Sequence, residues 1–216
     1  HGSPTGTLIM DTVTMNGVDE ASGAWNAYLT LNDGLKLRAD TILFTKGRVY
    51  VNGRVTLNAT TMFNLSQSVV IDGMGRSNYA ARSGPGWAGT SDVRASASHG
   101  GVGGTSWVGS TYGSTFRPIT SGSSGYSGVG GAALRLDAET LFLDGVIDMD
   151  GQTTGPGAGS GGSVWVTTRL LQGGTSASIK ARGGRGTENG GYYSTYRDGS
   201  SGGGGGRIAL YCEASE

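Results

Sequence analysis

Short alternating runs of hydrophobic and polar residues dominate the chain. Thr41-Ile42-Leu43-Phe44, Arg48-Val49-Tyr50-Val51, Arg54-Val55-Thr56-Leu57 and Ser68-Val69-Val70-Ile71 are short and rich in β-branched residues. Runs of this kind, bounded by turn residues, predict strands that bury one face. The boundaries are Lys46-Gly47, Asn52-Gly53 and Asp72-Gly73. Asn-Gly and Asp-Gly accept positive φ and so turn the chain tightly. Helical periodicity is missing almost throughout, and residues 17–29 are the only stretch that suggests a short helix.

The last third contains a repeat. Gly130-Gly131-Ala132-Ala133-Leu134-Arg135-Leu136 is echoed by Gly161-Gly162-Ser163-Val164-Trp165-Val166 and by Gly205-Gly206-Arg207-Ile208-Ala209-Leu210-Tyr211. Each is a glycine pair followed by an alternating strand. A second apolar element follows the first two copies, at Leu143–Gly151 and at Ser176–Gly184, and residues 69–75 are an earlier echo. The copies are spaced by about 31 and then about 44 residues, a period that points to stacked repeats. Short strands without crossover helices predict an all-β fold, a right-handed parallel β-helix (solenoid) with long glycine-rich loops. A β-sandwich or barrel is the alternative that short strands with turn signals also permit.

Composition changes the picture in one respect. Glycine accounts for 43 of 216 residues, with 7 before Gly73 and 36 from Gly73 onward. There is no Gly-X-Y period, which excludes collagen. Between Gly73 and Gly130 the apolar content is mostly single aromatics. That stretch reads as an ordered excursion packed by its aromatics, or as extended polyproline-II-like segments that approach closely for want of side chains. The expected organisation is one domain over 1–216. Residues 1–40 form an N-terminal strand region or cap, and 41–211 form the coils. The formal net charge is zero, 16 basic against 16 acidic residues, which argues against nucleic acid as a partner. No apolar run approaches the roughly 18 residues of a membrane span, so no membrane insertion is expected.

Ser98-His99-Gly100-Gly101-Val102-Gly103-Gly104, the Gly-Gly strands, Leu143-Asp144-Gly145-Val146-Ile147-Asp148 and Gly205-Gly206-Arg207-Ile208 together resemble the glycine-rich right-handed β-helix modules of large extracellular and cell-surface proteins. The resemblance spans roughly residues 40–211. It implies a secreted, non-enzymatic module and carries over no catalytic residues. The expected function is structural or adhesive, as a self-assembling filament or surface-layer subunit. Partners are expected at the open ends of the repeat: another copy or a neighbouring domain.

Candidate chemistry is sparse. Asp144, Asp148 and Asp150 lie in the densest acidic stretch, with Asp137 and Glu139 nearby. Asp148 and Asp150 are two apart on an expected strand and so share a face. Such a pair suits Ca²⁺ or the hydrolysis of polysaccharides. The plainer reading makes them the solvent face of a strand whose Ile147 and Met149 fill the core. His1 and His99 are the only histidines; a copper site built on them lacks any supporting motif. Tyr192, Tyr193 and Tyr196 in one loop, and Trp87 and Trp107 in another, are candidate ligand contacts for glycans, since aromatic rings stack on sugars. Asn58 and Asn64 begin N-glycosylation sequons, relevant on a eukaryotic secretory route. Cys212 is unpaired within the sequence and is a candidate for an intermolecular disulfide.

Overall fold

The computed structural model describes residues 7–15, 28–104, 107–186 and 201–215, with backbone placement alone for 7–15 and 214–215. Most of the stretch considered for a helix (17–27) lies outside the described residues, and Tyr28–Leu31 is a strand. The strands are β1 (Thr7–Met15), β2 (Tyr28–Leu31), β3 (Lys36–Phe44), β4 (Gly47–Val51), β5 (Arg54–Leu65), β6 (Val69–Asp72), β7 (Ala133–Leu143), β8 (Val146–Asp148), β9 (Ser163–Gly173), β10 (Ser178–Lys180) and β11 (Arg207–Ser215). The odd-numbered strands form a six-stranded sheet in the order β1-β3-β5-β7-β9-β11. The even-numbered strands form a five-stranded sheet in the order β2-β4-β6-β8-β10. Every strand pairing in both sheets is parallel.

This corrects the expected fold. The predicted strands form, but they pair into two separate parallel sheets and do not close into a right-handed parallel β-helix. Among the described residues, the paths from the five-stranded sheet back to the six-stranded sheet, within 73–132, 149–162 and 181–206, add no strand to either sheet and carry the isolated parallel bridges Ser96–Val108 and Gly157–Ser201. The alternative β-sandwich with antiparallel strands is not what the described residues form, since all of their strand pairings are parallel. The physical reason lies in the glycines. Glycine-rich segments offer little alternating apolar face to bury, so these paths gain little from a flat β-ladder.

The core lies between the sheets and is built from register columns. Leu37, Leu57, Leu136 and Val166 are successive partners across β3, β5, β7 and β9, and all are buried. Ile42, Phe63 and Leu141 form a second column, and Val49, Ile71 and Ile147 a third from the opposite sheet. Phe44 and Phe63 meet edge to face, with ring centroids 5.5 Å apart. Alternation along each strand sends one set of side chains inward. At the corners, Gly53 (φ 70°) adopts the left-handed backbone expected for Asn52-Gly53 and Gly47 (φ 98°) does the same, whereas Gly73 of Asp72-Gly73 does not.

The glycine-rich paths are ordered against one another by backbone hydrogen bonds. Gly122 N–H donates to Gly131 O at 2.8 Å, and Gly131 N–H to Ser160 O at 2.9 Å. Gly161 N–H donates to Gly204 O at 2.9 Å, and Gly204 N–H to Ala97 O at 2.8 Å. Gly131, Gly159 and Gly183 have ordinary φ. What they supply is room: a Cβ on each would overlap the carbonyl oxygen of Met149, Val129 or Gly203. The excursion 73–130 is thus joined to the later glycine segments by a shared hydrogen-bond network.

Candidate functional site

The acidic stretch is built by strand register. Tyr50, Asp72, Asp148 and Lys180 are consecutive partners across β4, β6, β8 and β10. Ile147 and Met149 are fully buried, Asp148 is partly buried, and Asp150 is buried. Each carboxylate has assigned partners. Arg48 Nη1 lies 2.5 Å from Asp72 Oδ2, and the Met74 N–H donates to Asp72 Oδ1. Asp148 Oδ1 accepts from the Asp150 N–H at 3.0 Å, and Lys180 Nζ stands 3.9 Å from Asp148 Oδ2. Asp150 accepts from the Arg182 backbone N–H at 2.6 Å and from Nε and Nη2 of the same residue at 2.8 and 2.7 Å. Burial pushes the Asp148 carboxyl above its ordinary range, with Asp150 and Asp72 adding repulsion. The Asp150 hydrogen bond raises Arg182 further above its ordinary value. Asp144 stands apart, in the turn between β7 and β8, where its Oδ1 accepts from the Ser176 N–H at 3.0 Å. Asp137 and Glu139 pair with Arg135 and Arg169 on the six-stranded sheet. Among the described residues no three His, Cys, Asp or Glu side chains gather as a metal-ligand group.

A second polar cluster lies inside the glycine network. His99 is fully buried. Its Nδ1 is 2.7 Å from Gly161 O, and its Nε2 is 3.0 Å from Thr120 Oγ1. A carbonyl only accepts, so Nδ1 carries the proton and the Thr120 hydroxyl donates to Nε2. The imidazole lies 4.6 Å from the Tyr112 ring at 31°. Tyr112 donates to Ser121 O at 2.7 Å and accepts from Ser123 Oγ at 2.8 Å. Its carbonyl receives Arg207 Nε at 2.9 Å. Burial lowers the His99 pKa, and the nearby Arg207 cation pushes the same way; the Gly161 hydrogen bond opposes them. Burial raises Tyr112. These groups bind glycine-rich segments that have few large apolar side chains of their own.

The remaining candidates are dispersed. Trp87 is half-buried beside the turn closed by its N–H on Gly84 O, and Trp107 is 48% exposed. Tyr192, Tyr193, Tyr196 and His1 lie outside the described residues. Asn58 and Asn64 are half-buried, alternating along β5 with buried Leu57, Ala59 and Leu65. Cys212 is exposed on β11, its Sγ 3.7 Å from Arg169 O.

Sequence reasoning missed the partners of these groups. Arg48, Arg182, Thr120 and Tyr112 are remote in sequence from the residues they hold; Arg182 and Asp150 are 32 positions apart. The signal was the repeat itself, since Asp150-Gly151 and Arg182-Gly183 stand at equivalent places in successive copies. Also unanticipated was an apolar margin along β11. Ile208, Leu210 and Tyr211 are 47, 46 and 43% exposed there. Tyr211 donates to the carbonyl of Phe116, which is itself exposed. Comparison of the chain with protein-family models, curated proteins and solved structures finds no match.

Proposed function

We propose that this chain is a non-enzymatic structural or adhesive module that works outside the cell through contacts made at the ends of its two sheets. The carrying observation is that, among the described residues, the two wholly parallel sheets end on strands with no further strand paired outside them, one of which, β11, bears exposed apolar residues. Parallel edges left open are templates for a further strand. The acidic residues best placed for catalysis are engaged in ion pairs and backbone hydrogen bonds that hold successive strands together. The glycine-rich composition and its resemblance to cell-surface modules support the extracellular setting.

Two measurements test this reading. Antibody against the chain should label intact cells of the source; label seen only after permeabilisation overturns the extracellular assignment. A panel of polysaccharides assayed for new reducing ends should show no release. Release that disappears in Asp148→Asn or Asp150→Asn would replace the structural reading with an enzymatic one.

A further inference from the structure

One hydroxyl in the glycine network is bonded differently from its neighbours. The hydroxyls of Ser121, Ser124, Ser160 and Ser163 each donate to a main-chain carbonyl, which ties one path to another. The Thr120 hydroxyl instead donates to a base, His99 Nε2, at 3.0 Å. His99 Nδ1 is fixed on Gly161 O at 2.7 Å, which holds the ring in the tautomer whose Nε2 lone pair faces the hydroxyl. A hydroxyl bonded to a base that a third group orients is the arrangement of an activated nucleophile.

The hydroxyl also has an approach. Thr120 is half-buried, and Gly113 beside it is exposed. Gly113 takes a left-handed φ of 81°. A Cβ on it would stand 2.7 Å from Thr120 Oγ1, 3.2 Å from His99 Nε2 and 3.5 Å from Arg207 Nε. Glycine leaves that position free of side-chain atoms, so an atom arriving there meets the hydroxyl, the base and a cation together. A carbonyl carbon at about 3–3.5 Å from a nucleophile is in a near-attack arrangement. A guanidinium close by stabilises the negative charge that the carbonyl oxygen gains. The loop that carries the hydroxyl is also apolar on its surface. Ile119, next to Thr120 in the chain, is 52% exposed, and Phe116 is 73% exposed. The loop is held in place, since Ser114 Oγ accepts from the Phe116 and Arg117 N–H groups and the Phe116 carbonyl accepts from Tyr211.

We infer that Thr120 is an acyl acceptor, with His99 as its general base and an ester of an apolar acyl chain as the donor. Thr120 Oγ1 attacks the ester carbonyl carbon and its proton passes to His99 Nε2. The tetrahedral oxyanion forms beside the Arg207 cation. Its collapse breaks the bond to the ester's own alkoxy oxygen, which takes the proton from His99 and leaves as an alcohol. One C–O bond has replaced another, and the imidazole is neutral again. Burial and the Arg207 cation lower the His99 pKa, which leaves the ring unprotonated at neutral pH and able to accept that proton. A single transfer per chain gives an acylated module without turnover. The inference thus goes beyond the structural reading and does not depend on it.

The test is incubation of the folded chain with p-nitrophenyl hexanoate at neutral pH, followed by intact and tandem mass spectrometry. Wild type should release nitrophenolate in a burst of a single equivalent and carry the hexanoyl group on Thr120. Thr120→Val should lose both the burst and the adduct, and Thr120→Ser should keep both. His99→Gln should slow the burst by about a hundredfold or more, the usual contribution of a general base. Circular dichroism checks the fold of each variant. Wild type held unfolded in urea should carry no hexanoyl group on Thr120, a control that needs no variant to fold. Hexanoyl groups on lysines, tyrosines or the amino terminus without one on Thr120 overturn the inference. So does an undiminished burst from folded Thr120→Val, or equal labelling of Thr120 in urea. None of these results touches the extracellular assignment or the polysaccharide panel, which are decided separately.

Discussion

At the scale of single residues, glycine acts here mainly by its small volume. A Cβ on Gly162 would overlap the carbonyl oxygen of Ala132, whereas a Cβ on Gly173 meets nothing within 4 Å. Gly162→Ala should therefore destabilise the fold by about 1–3 kcal/mol, the usual cost of overpacking. Gly173→Ala should be neutral or slightly stabilising. Chemical denaturation of the two variants checks the contrast, and equal effects would refute the close-approach argument. His99 makes a second residue-scale prediction. Its folded-state pKa lies below the ordinary value because burial disfavours the cation. Below about pH 6.5 the unfolded chain takes up a proton at this imidazole that the folded chain resists. Stability should thus fall on acidification, by at most about 1.4 kcal/mol per pH unit from this group, until the folded-state pKa is reached. Denaturation midpoints measured between neutral and mildly acid pH should show this slope, and His99→Gln should flatten it.

At the scale of elements, the ion pairs divide by burial. Asp150 is 5% exposed and binds both the backbone and the guanidinium of Arg182, joining the glycine path after β8 to the one after β10. Glu139 and Arg169 join β7 to β9 with both side chains half exposed. Hydrogen bonds to a buried charge contribute about 1.5–3 kcal/mol, and exposed pairs about 0–1. Asp150→Asn should lower the unfolding free energy in that larger range, and Glu139→Gln by less than about 1 kcal/mol. A reversed order in urea titrations would mean that register is held by the exposed pair between β7 and β9 and not by the buried carboxylate between the glycine paths. The strands themselves were legible in the sequence. The alternation in Arg54–Leu57 and in the Gly-Gly repeats fell on β5, β7, β9 and β11 because half-buried strands print a two-residue period. The sheets that those strands would form were not legible. The same alternation suits an antiparallel sandwich, a closed solenoid and two open parallel sheets.

At the scale of the molecule, the two sheets share one construction rule, in which each strand pairs with the equivalent strand of the next repeat. The polar groups follow it too. Asp148 pairs with Lys180, Asp150 with Arg182, and Asp144 receives the Ser176 N–H, each across 32 positions. Pairings this remote in sequence close large loops before they are rewarded, which makes slow folding the physical expectation for the whole.

The sequence by itself determined most strand positions from Thr41 onward, the core placement of Ile147 and Met149, and the turn at Gly53. These follow from local chemistry: two-residue alternation, β-branched content and freedom at positive φ. Only the tertiary structure decided the rest. It set the pairing of Asp150 with Arg182, the burial of His99 between Gly161 and Thr120, and the partial exposure of Ile208 and Leu210. Each depends on which segments lie side by side. A glycine segment states that in its sequence only weakly, because it has no side chain to mark which neighbour it accepts.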